Sequence, residues 1–569
     1  MNKIYIIILF FAAILYGCEK SFLDKLPLDS ISSNDYWKTT KDLELYLNQY
    51  YTSFTSYPNR GTIYWNDDNS DNEISMVYSQ QLTGMQIIPA SEGSWSFSNI
   101  RSVNYFLTNY STVKDSWENT RHYVGEAYFF KAFFYFSLLR TYGDVPWLTK
   151  PLNTDDPELY GVRTPRNAVA DSIIANLDKA IAYMKPKTSA PVSRLNSDIA
   201  LLLKSRVCLY EGTWEKYHTS SSFGVNNSNG QKYITLAAQA SKALIDRGNY
   251  TIYNTGKANS DYSLLFKQVN LDSNPEIMLY KKYSIALDLY HYSQELLVWP
   301  YERGITKWMV DSYLCKDGLP ISLSPLYKGD NGLKNVVANR DSRLSQCIWI
   351  PGDAIKIVGK DTLTKFSLPY IDKSGISRDI TGYMLKKGAD PTIASSSSKC
   401  EIGAPSFRYA EALLNYAEAQ AELGALTQSD IDLTINKLRS RAGVAPLILA
   451  SVATDPNWDF PTLSPIINEV RRERRIELAF EGFRFNDLMR WKAHQLFSNK
   501  RPKGAKFIQS DFPGLVIGSN IFVDTNGYID PYQKLVPNGY GFIPGRNYLD
   551  PIPTIELTLN KNLVQNPGW

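Results

Sequence analysis

Ala127-Tyr128-Phe129-Phe130-Lys131-Ala132-Phe133-Phe134-Tyr135-Phe136-Ser137-Leu138-Leu139 is apolar on nearly every side of a 3.6-residue turn. A surface helix needs only one apolar stripe, so a helix that is apolar all round must be enclosed by neighbours. The helix is predicted from about Trp117 to Tyr142. Gly143 stands where a left-handed residue closes a helix, and Pro146 blocks its resumption. An enclosed helix of this length implies a body of further helices around it.

Those helices are legible on both sides. Upstream, Leu43, Leu47, Tyr50, Tyr51 and Phe54 mark one face after Thr40. Downstream, Thr164-Pro165 reads as an N-cap followed by proline at the first helical position, and Val169, Ile173, Ile174, Leu177, Ile181 and Met184 share a face. Two more helices are expected at about Asp198 to Glu211 and Tyr233 to Arg247, the second closed by Gly248. From Asn249 to Gly403 the pattern becomes short apolar runs broken by Gly, Pro, Asn and Asp, without a long helical period. Helical pattern returns at Ala404 to Gly424, Ser429 to Ala442, Ser464 to Phe480 and Arg484 to Leu496, followed by an irregular tail to Trp569. The expected fold class is mainly α: paired helices stacked as divergent tetratricopeptide-like units, although the consensus 34-residue spacing is not visible. A loop-rich insertion carries the ligand region. The expected divisions are 36–248, 249–403 and 404–569.

The N-terminus sets the compartment. Lys3 precedes an apolar run from Ile4 to Leu15 and then Tyr16-Gly17-Cys18. A spanning helix needs about 20 apolar residues, so 1–17 reads as a cleaved lipoprotein signal peptide. Cys18 is then the lipid attachment site, and 18–35 the tether of an anchored rather than inserted protein. Net charge is only +4, from 61 basic and 57 acidic residues, with no basic run, which disfavours nucleic acid as a partner. The 38 Tyr and 12 Trp suit a core and a carbohydrate surface equally.

Motifs for chemistry are sparse. Cys208, Cys315, Cys347 and Cys400 form no CxxC pair, and His122, His218, His291 and His494 are scattered, so neither a metal site nor a disulfide framework is indicated. No cofactor is expected. No Gly-x-Ser-x-Gly elbow or phosphate loop occurs, so no catalytic residue is assigned. Paired carboxylates for glycoside hydrolysis stay open, because their separation belongs to the fold. The stretch Asp67-Asp68-Asn69-Ser70-Asp71-Asn72-Glu73 offers oxygen ligands for calcium but does not match the EF-hand register, and reads as a hydrogen-bonded loop. Glu469, Glu473, Glu477 and Glu481 recur every four residues. A helix would line them up, and they would need opposing cations from Arg472, Arg474 and a second helix. Aromatics in loop contexts, Trp65, Trp95, Trp299 and Tyr301, are the candidates for a sugar platform, each equally able to pack beneath its own loop.

Several blocks together resemble the SusD/RagB family of nutrient-binding outer-membrane lipoproteins. They include Cys18-Glu19-Lys20-Ser21-Phe22-Leu23-Asp24, Gly125-Glu126-Ala127, Leu139-Arg140-Thr141-Tyr142-Gly143-Asp144-Val145-Pro146 and Leu209-Tyr210-Glu211-Gly212-Thr213-Trp214. Asp317-Gly318-Leu319-Pro320-Ile321 and Asn339-Arg340-Asp341-Ser342-Arg343-Leu344 follow, the latter with serine where the family usually has proline. Arg408 to Ala419, Arg471 to Phe485, Pro551-Ile552-Pro553 and Gln565-Asn566-Pro567-Gly568-Trp569 complete the set. The resemblance implies a SusD-like helical body, a surface-exposed position on the outer membrane, and capture of oligosaccharide for a SusC-like TonB-dependent transporter, without catalysis. It also points to ligand contacts at Trp95, Trp299 and Tyr301, with polar help from Asp68. A peptide-capturing member of the family and a surface glycoside hydrolase are the alternatives.

Overall fold

The computed structural model describes residues 36–91, 93–297, 299–393 and 398–569. The expected signal peptide, Cys18 and the tether lie outside the described residues. The central helix runs over Trp117–Tyr142, with the expected bounds. Gly143 follows at φ +72°, the conformation that glycine adopts without a Cβ penalty. Phe129, Phe130, Ala132, Tyr135 and Leu139 are fully buried, as an enclosed helix requires.

Around it the helices form a stack in which each packs on the one before: Trp117–Tyr142, Arg166–Tyr183, Ser197–His218, Gln231–Asp246, Tyr409–Glu422 and Pro465–Glu477. Residues 247–408 therefore interrupt the sequence but not the stack. Two glycines set its closest approach. A Cβ on Gly230 would lie 1.8 Å from the Gly212 carbonyl oxygen, and one on Gly212 would lie 2.7 Å from the Ile234 nitrogen. The helix through Gly212 and the start of the next one thus touch backbone to backbone.

Several boundaries differ from expectation, each for a local reason. The Arg166–Tyr183 helix begins after Pro165, and its cap is the carboxylate of Asp144, which accepts the Arg166 N–H at 2.8 Å. The next helix continues to His218 because Trp214 and His218 are buried beyond the expected end at Glu211. Ala404–Arg408 is a strand, recruited by pairing with Ile277–Lys281, and the helix starts only at Tyr409. Thr434, at φ −120° and ψ −87°, divides Gln428–Leu433 from Ile435–Ala442. The Ser98–Asn109 helix was not anticipated, although Ile100, Val103 and Phe106 mark its buried face.

The insertion holds short helices and two-stranded ribbons. Its own core, including Tyr262, Phe266, Met309, Trp349 and Tyr383, closes over Ile476, Ala479 and Phe480. Arginines join this core to the helical body. Glu469, Glu473 and Glu477 project from Pro465–Glu477, while Glu481 lies beyond its end. Arg439 reaches Glu469 and Glu473, Arg343 bridges Glu473 and Glu477, Arg441 takes Glu477, and Arg408 spans Glu477 and Glu481, at 2.5–3.0 Å. Of the two cations expected beside the row, Arg472 meets Glu469 at 3.4 Å, whereas Arg474 turns away to Asp487. Cys208, Cys315, Cys347 and Cys400 are free and buried. Among the described residues, no helix is long and apolar enough to cross a membrane.

Candidate functional site

The acidic stretch is a fixed loop that presents one carboxylate outward. Asp67 is buried and accepts N–H groups from Phe480 at 2.8 Å, Gly482 at 3.1 Å and Asn72 at 2.9 Å. Asp71 is held by both Arg484, at 2.7 Å, and Arg475, at 3.1 Å. These two arginines keep its pKa down at about 2 despite burial. Asp68 is left at the surface, half-buried.

The strand that follows, Glu73–Ser75, pairs antiparallel with Arg303–Ile305, which brings the early loop against the insertion. There Arg303 Nε lies 3.3 Å from Asp68 Oδ2, and its guanidinium sits 4.5 Å over the Trp65 ring. Burial raises the pKa of Asp68, opposed by Arg303. Tyr301 leans on the same Trp65 at 5.2 Å and 59°, and its hydroxyl donates to Glu295 at 2.5 Å. Burial, with Glu295 close by, pushes the phenol up to about 12. Glu295 also accepts from Arg60 at 2.8 Å, and Arg60 lies 5.7 Å over Tyr292. Trp299, half-buried, donates its backbone N–H to the Glu295 carbonyl at 2.8 Å.

The result is a ledge of half-exposed rings, Trp65, Tyr292 and Tyr301, interleaved with Arg60, Arg303 and Asp68, to which Trp299 is joined through its backbone. Its backbone is held under tension. Tyr301 and Glu302 adopt φ +55° and +52°, a region that costs a non-glycine residue about 1–2 kcal/mol. The two strained residues are tied down by donating their N–H groups to the Ile376 carbonyl at 2.8 Å and the Arg378 carbonyl at 2.9 Å. Strain of this kind clusters at binding and active sites. Gly61, at φ +84°, is required beside Trp65, because a Cβ there would lie 2.3 Å from the ring.

Of the four candidate residues, Asp68 and Tyr301 come together on this ledge, and Trp299 joins it through its backbone bond to Glu295. Trp95 does not. It is 8% exposed, with its edges against Phe97 at 5.6 Å and Tyr142 at 4.9 Å, so it packs under its own loop and offers no free face. Trp65 was visible as a loop aromatic. Arg60, Tyr292, Glu295 and Arg303 carried no motif, and only the strand pairing reveals them. Beneath the ledge, Glu73 is fully buried and neither carboxylate oxygen has a partner among the described residues. Burial holds its pKa well up, with Asp68 adding to the rise. A larger cleft of about 660 Å³ lies elsewhere, with Trp308 and Trp458 on its walls.

The comparisons with known proteins agree with this architecture. Residues 302–569 match the profile of the SusD family, and residues 21–209 match one described as starch-binding, associating with the outer membrane. Two relatives from Formosa agariphila, the SusD-like proteins P38 and P2, are each 24% identical; the first aligns over 86% of this chain and 91% of its own, the second over the whole of both. Among solved structures, a SusD-like carbohydrate-binding protein from Bacteroides fragilis superposes with a TM-score of 0.71 at 23% identity, covering 93% of this chain and 100% of its own. A laminarin-binding SusD-like protein superposes at 0.52 with 18% identity, covering 94% and 100%. With the stacked helices, the insertion and both profiles in agreement, the chain belongs to the SusD family.

Proposed function

We propose that the protein is a non-catalytic, cell-surface glycan-capturing lipoprotein, anchored through Cys18, that hands oligosaccharide to a SusC-like TonB-dependent transporter. The observation that carries this reading is the ledge: aromatic faces for stacking on sugar rings, flanked by arginine and carboxylate for the hydroxyls. The family's description as starch-binding and the laminarin-binding neighbour support a glycan as the ligand class. Two half-buried carboxylates there are each engaged by an arginine, Asp68 by Arg303 at 3.3 Å and Glu302 by Arg378 at 3.9 Å. That arrangement suits holding a polar ligand. A lipid-anchored binder with no spanning helix among its described residues passes its cargo to a pore, and tethering beside that pore makes even a modest interface effective.

The test is a panel of oligosaccharides presented to the chain from residue 19 onward. Saturable binding with every sugar recovered intact supports capture. Shorter products appearing on incubation would establish the hydrolase instead, and binding confined to peptides would move the protein to the peptide-capturing branch.

A further inference from the structure

Arg140, in the last turn of Trp117–Tyr142, faces a cavity of about 140 Å³ that is also lined by Tyr64, Asn66 and Arg206 and by the carboxylates Glu411, Glu481 and Asp487, each already paired with another arginine. Among the described residues, Arg140 forms no ion pair and donates no hydrogen bond, and its Nε is sealed from solvent. Its guanidinium rests 4.8 Å over the Phe136 ring. The other described arginines all have an oxygen to answer them. Even those without a carboxylate donate to carbonyls: Arg101 to Leu152 at 2.9 Å, Arg163 to Tyr142 at 2.7 Å, Arg340 to Val310 at 2.8 Å and Arg546 to Gly84 at 2.6 Å.

A structural role for Arg140 would be to cap the helix it ends. It does not do so: the Tyr142 carbonyl at that end is served by Arg163. Burial lowers the Arg140 pKa to about 10, and Arg206 adds to the fall while Tyr210 opposes it. The group is still charged at neutral pH. Arg140 is half-buried, and a guanidinium with no protein partner at the wall of a cavity is free to receive an anion there. The neighbouring Arg206 deepens the imbalance. Glu411 takes its Nε and Nη2 at 2.6 Å each, which leaves Nη1 with no acceptor among the described residues. One water needs roughly 10–15 Å³, so the cavity has room for a small anion and residual solvent.

We propose that this cavity is an oxyanion-binding site, in which Arg140 and the free edge of Arg206 receive a carboxylate, sulfate or phosphate group. Planar guanidinium groups match such oxygens in geometry as well as charge. The cavity and the ledge share one turn: Ile63, Tyr64 and Asn66 line the first, while Trp65 between them stands on the second. The oxyanion can therefore come from a free ion or from an acidic group carried by a saccharide. The assignment of the cavity stands whether or not the ledge binds glycan.

The test is calorimetric titration of wild type and Arg140→Gln with sodium sulfate, with an oligogalacturonate and with a neutral oligosaccharide, all at constant ionic strength. Sulfate stabilises most proteins non-specifically, so the contrast with the variant is what counts. Wild type should bind sulfate at one site and Arg140→Gln about tenfold more weakly or worse, as expected when a charge-assisted bond is lost. Oligogalacturonate competing with sulfate would identify a sugar-borne group as the source; sulfate binding without that competition would identify a free ion. As a readout independent of the variant's folding, crystals of wild type grown in sodium selenate should show an anomalous peak within hydrogen-bonding distance of Arg140. No sulfate heat in wild type together with no selenate peak at Arg140 would overturn the proposal, as would equal sulfate affinity in Arg140→Gln.

Discussion

At the scale of single residues, buried ionic groups set the sharpest expectations. Glu477 is fully buried and takes Arg343, Arg408 and Arg441 at 2.6–2.9 Å. Burial works against its charge, but the three arginines, Arg441 foremost, hold its pKa far below the carboxylate range. Glu477→Ala removes the carboxylate that all three share and leaves each with fewer partners than it has in the wild type, Arg441 with Glu276 alone among the described residues, and removing one partner of a buried pair costs about 3–5 kcal/mol. Chemical denaturation should show a loss of that order, and an unchanged midpoint would show that the remaining glutamates suffice. Asp379 is the opposite case. It is buried behind Gly304, where a Cβ would lie 2.8 Å from its Oδ1, and Oδ2 has no partner among the described residues. Burial, opposed by N–H groups from Thr381 and Gly382, pushes its pKa up to about 7. The unfolded value is about 3.9, so the folded state binds this proton more tightly. Stability from the group is full below that value and is lost as pH rises through about 7. Asp379→Asn has no proton to lose. The melting-temperature difference between variant and wild type should therefore shift in the variant's favour from pH 5 to pH 8; a constant difference would mean that Asp379 is not protonated in the fold.

At the scale of elements, the close contact at Gly212 predicts that Gly212→Ala pushes the helix Gln231–Asp246 away. Its Cβ would meet the Ile234 and Gly230 backbone, at 2.7 and 3.0 Å, which a rotamer change cannot relieve. Overpacking of this kind costs about 1–3 kcal/mol. Gly514, with open space for 4 Å around the point where a Cβ would stand, is the neutral control for the same substitution. Equal melting temperatures for the two variants would contradict the backbone contact. Helices were legible wherever an apolar period met a stop signal, as at Tyr142-Gly143. They were misread where a distant partner decided the outcome. Ala404–Arg408 has helical neighbours in sequence but pairs with Ile277–Lys281, more than a hundred residues earlier. The cap on Arg166 is Asp144, across the Val145–Thr164 bridge, rather than the adjacent Thr164. The spacing of the glutamate row was readable, whereas most of its partners, Arg343, Arg408, Arg439 and Arg441, come from other segments.

At the scale of the whole molecule, the proposed function rests on two segments brought together by Glu73–Ser75 pairing with Arg303–Ile305. Loop context marked Trp299 and Tyr301 as candidates, because rings beside proline and charged residues are poor core residues, and both are half-buried. The same criterion misplaced Trp95, since Tyr142, whose ring meets it at 4.9 Å, is joined to it only by the packing of the helix end. The polar half of the ledge carried no pattern at all, because arginines and carboxylates occur throughout the chain. The central claim is that oligosaccharide is captured on this ledge rather than in the 660 Å³ cleft beside Trp458. Calorimetric titration of an oligosaccharide that the wild type binds, against wild type, Trp299→Ala and Trp458→Ala, tests that claim most directly. Affinity for Trp299→Ala should fall about tenfold or more, equivalent to about 1.4 kcal/mol, with Trp458→Ala indistinguishable from wild type; parent affinity in Trp299→Ala with loss in Trp458→Ala would contradict it.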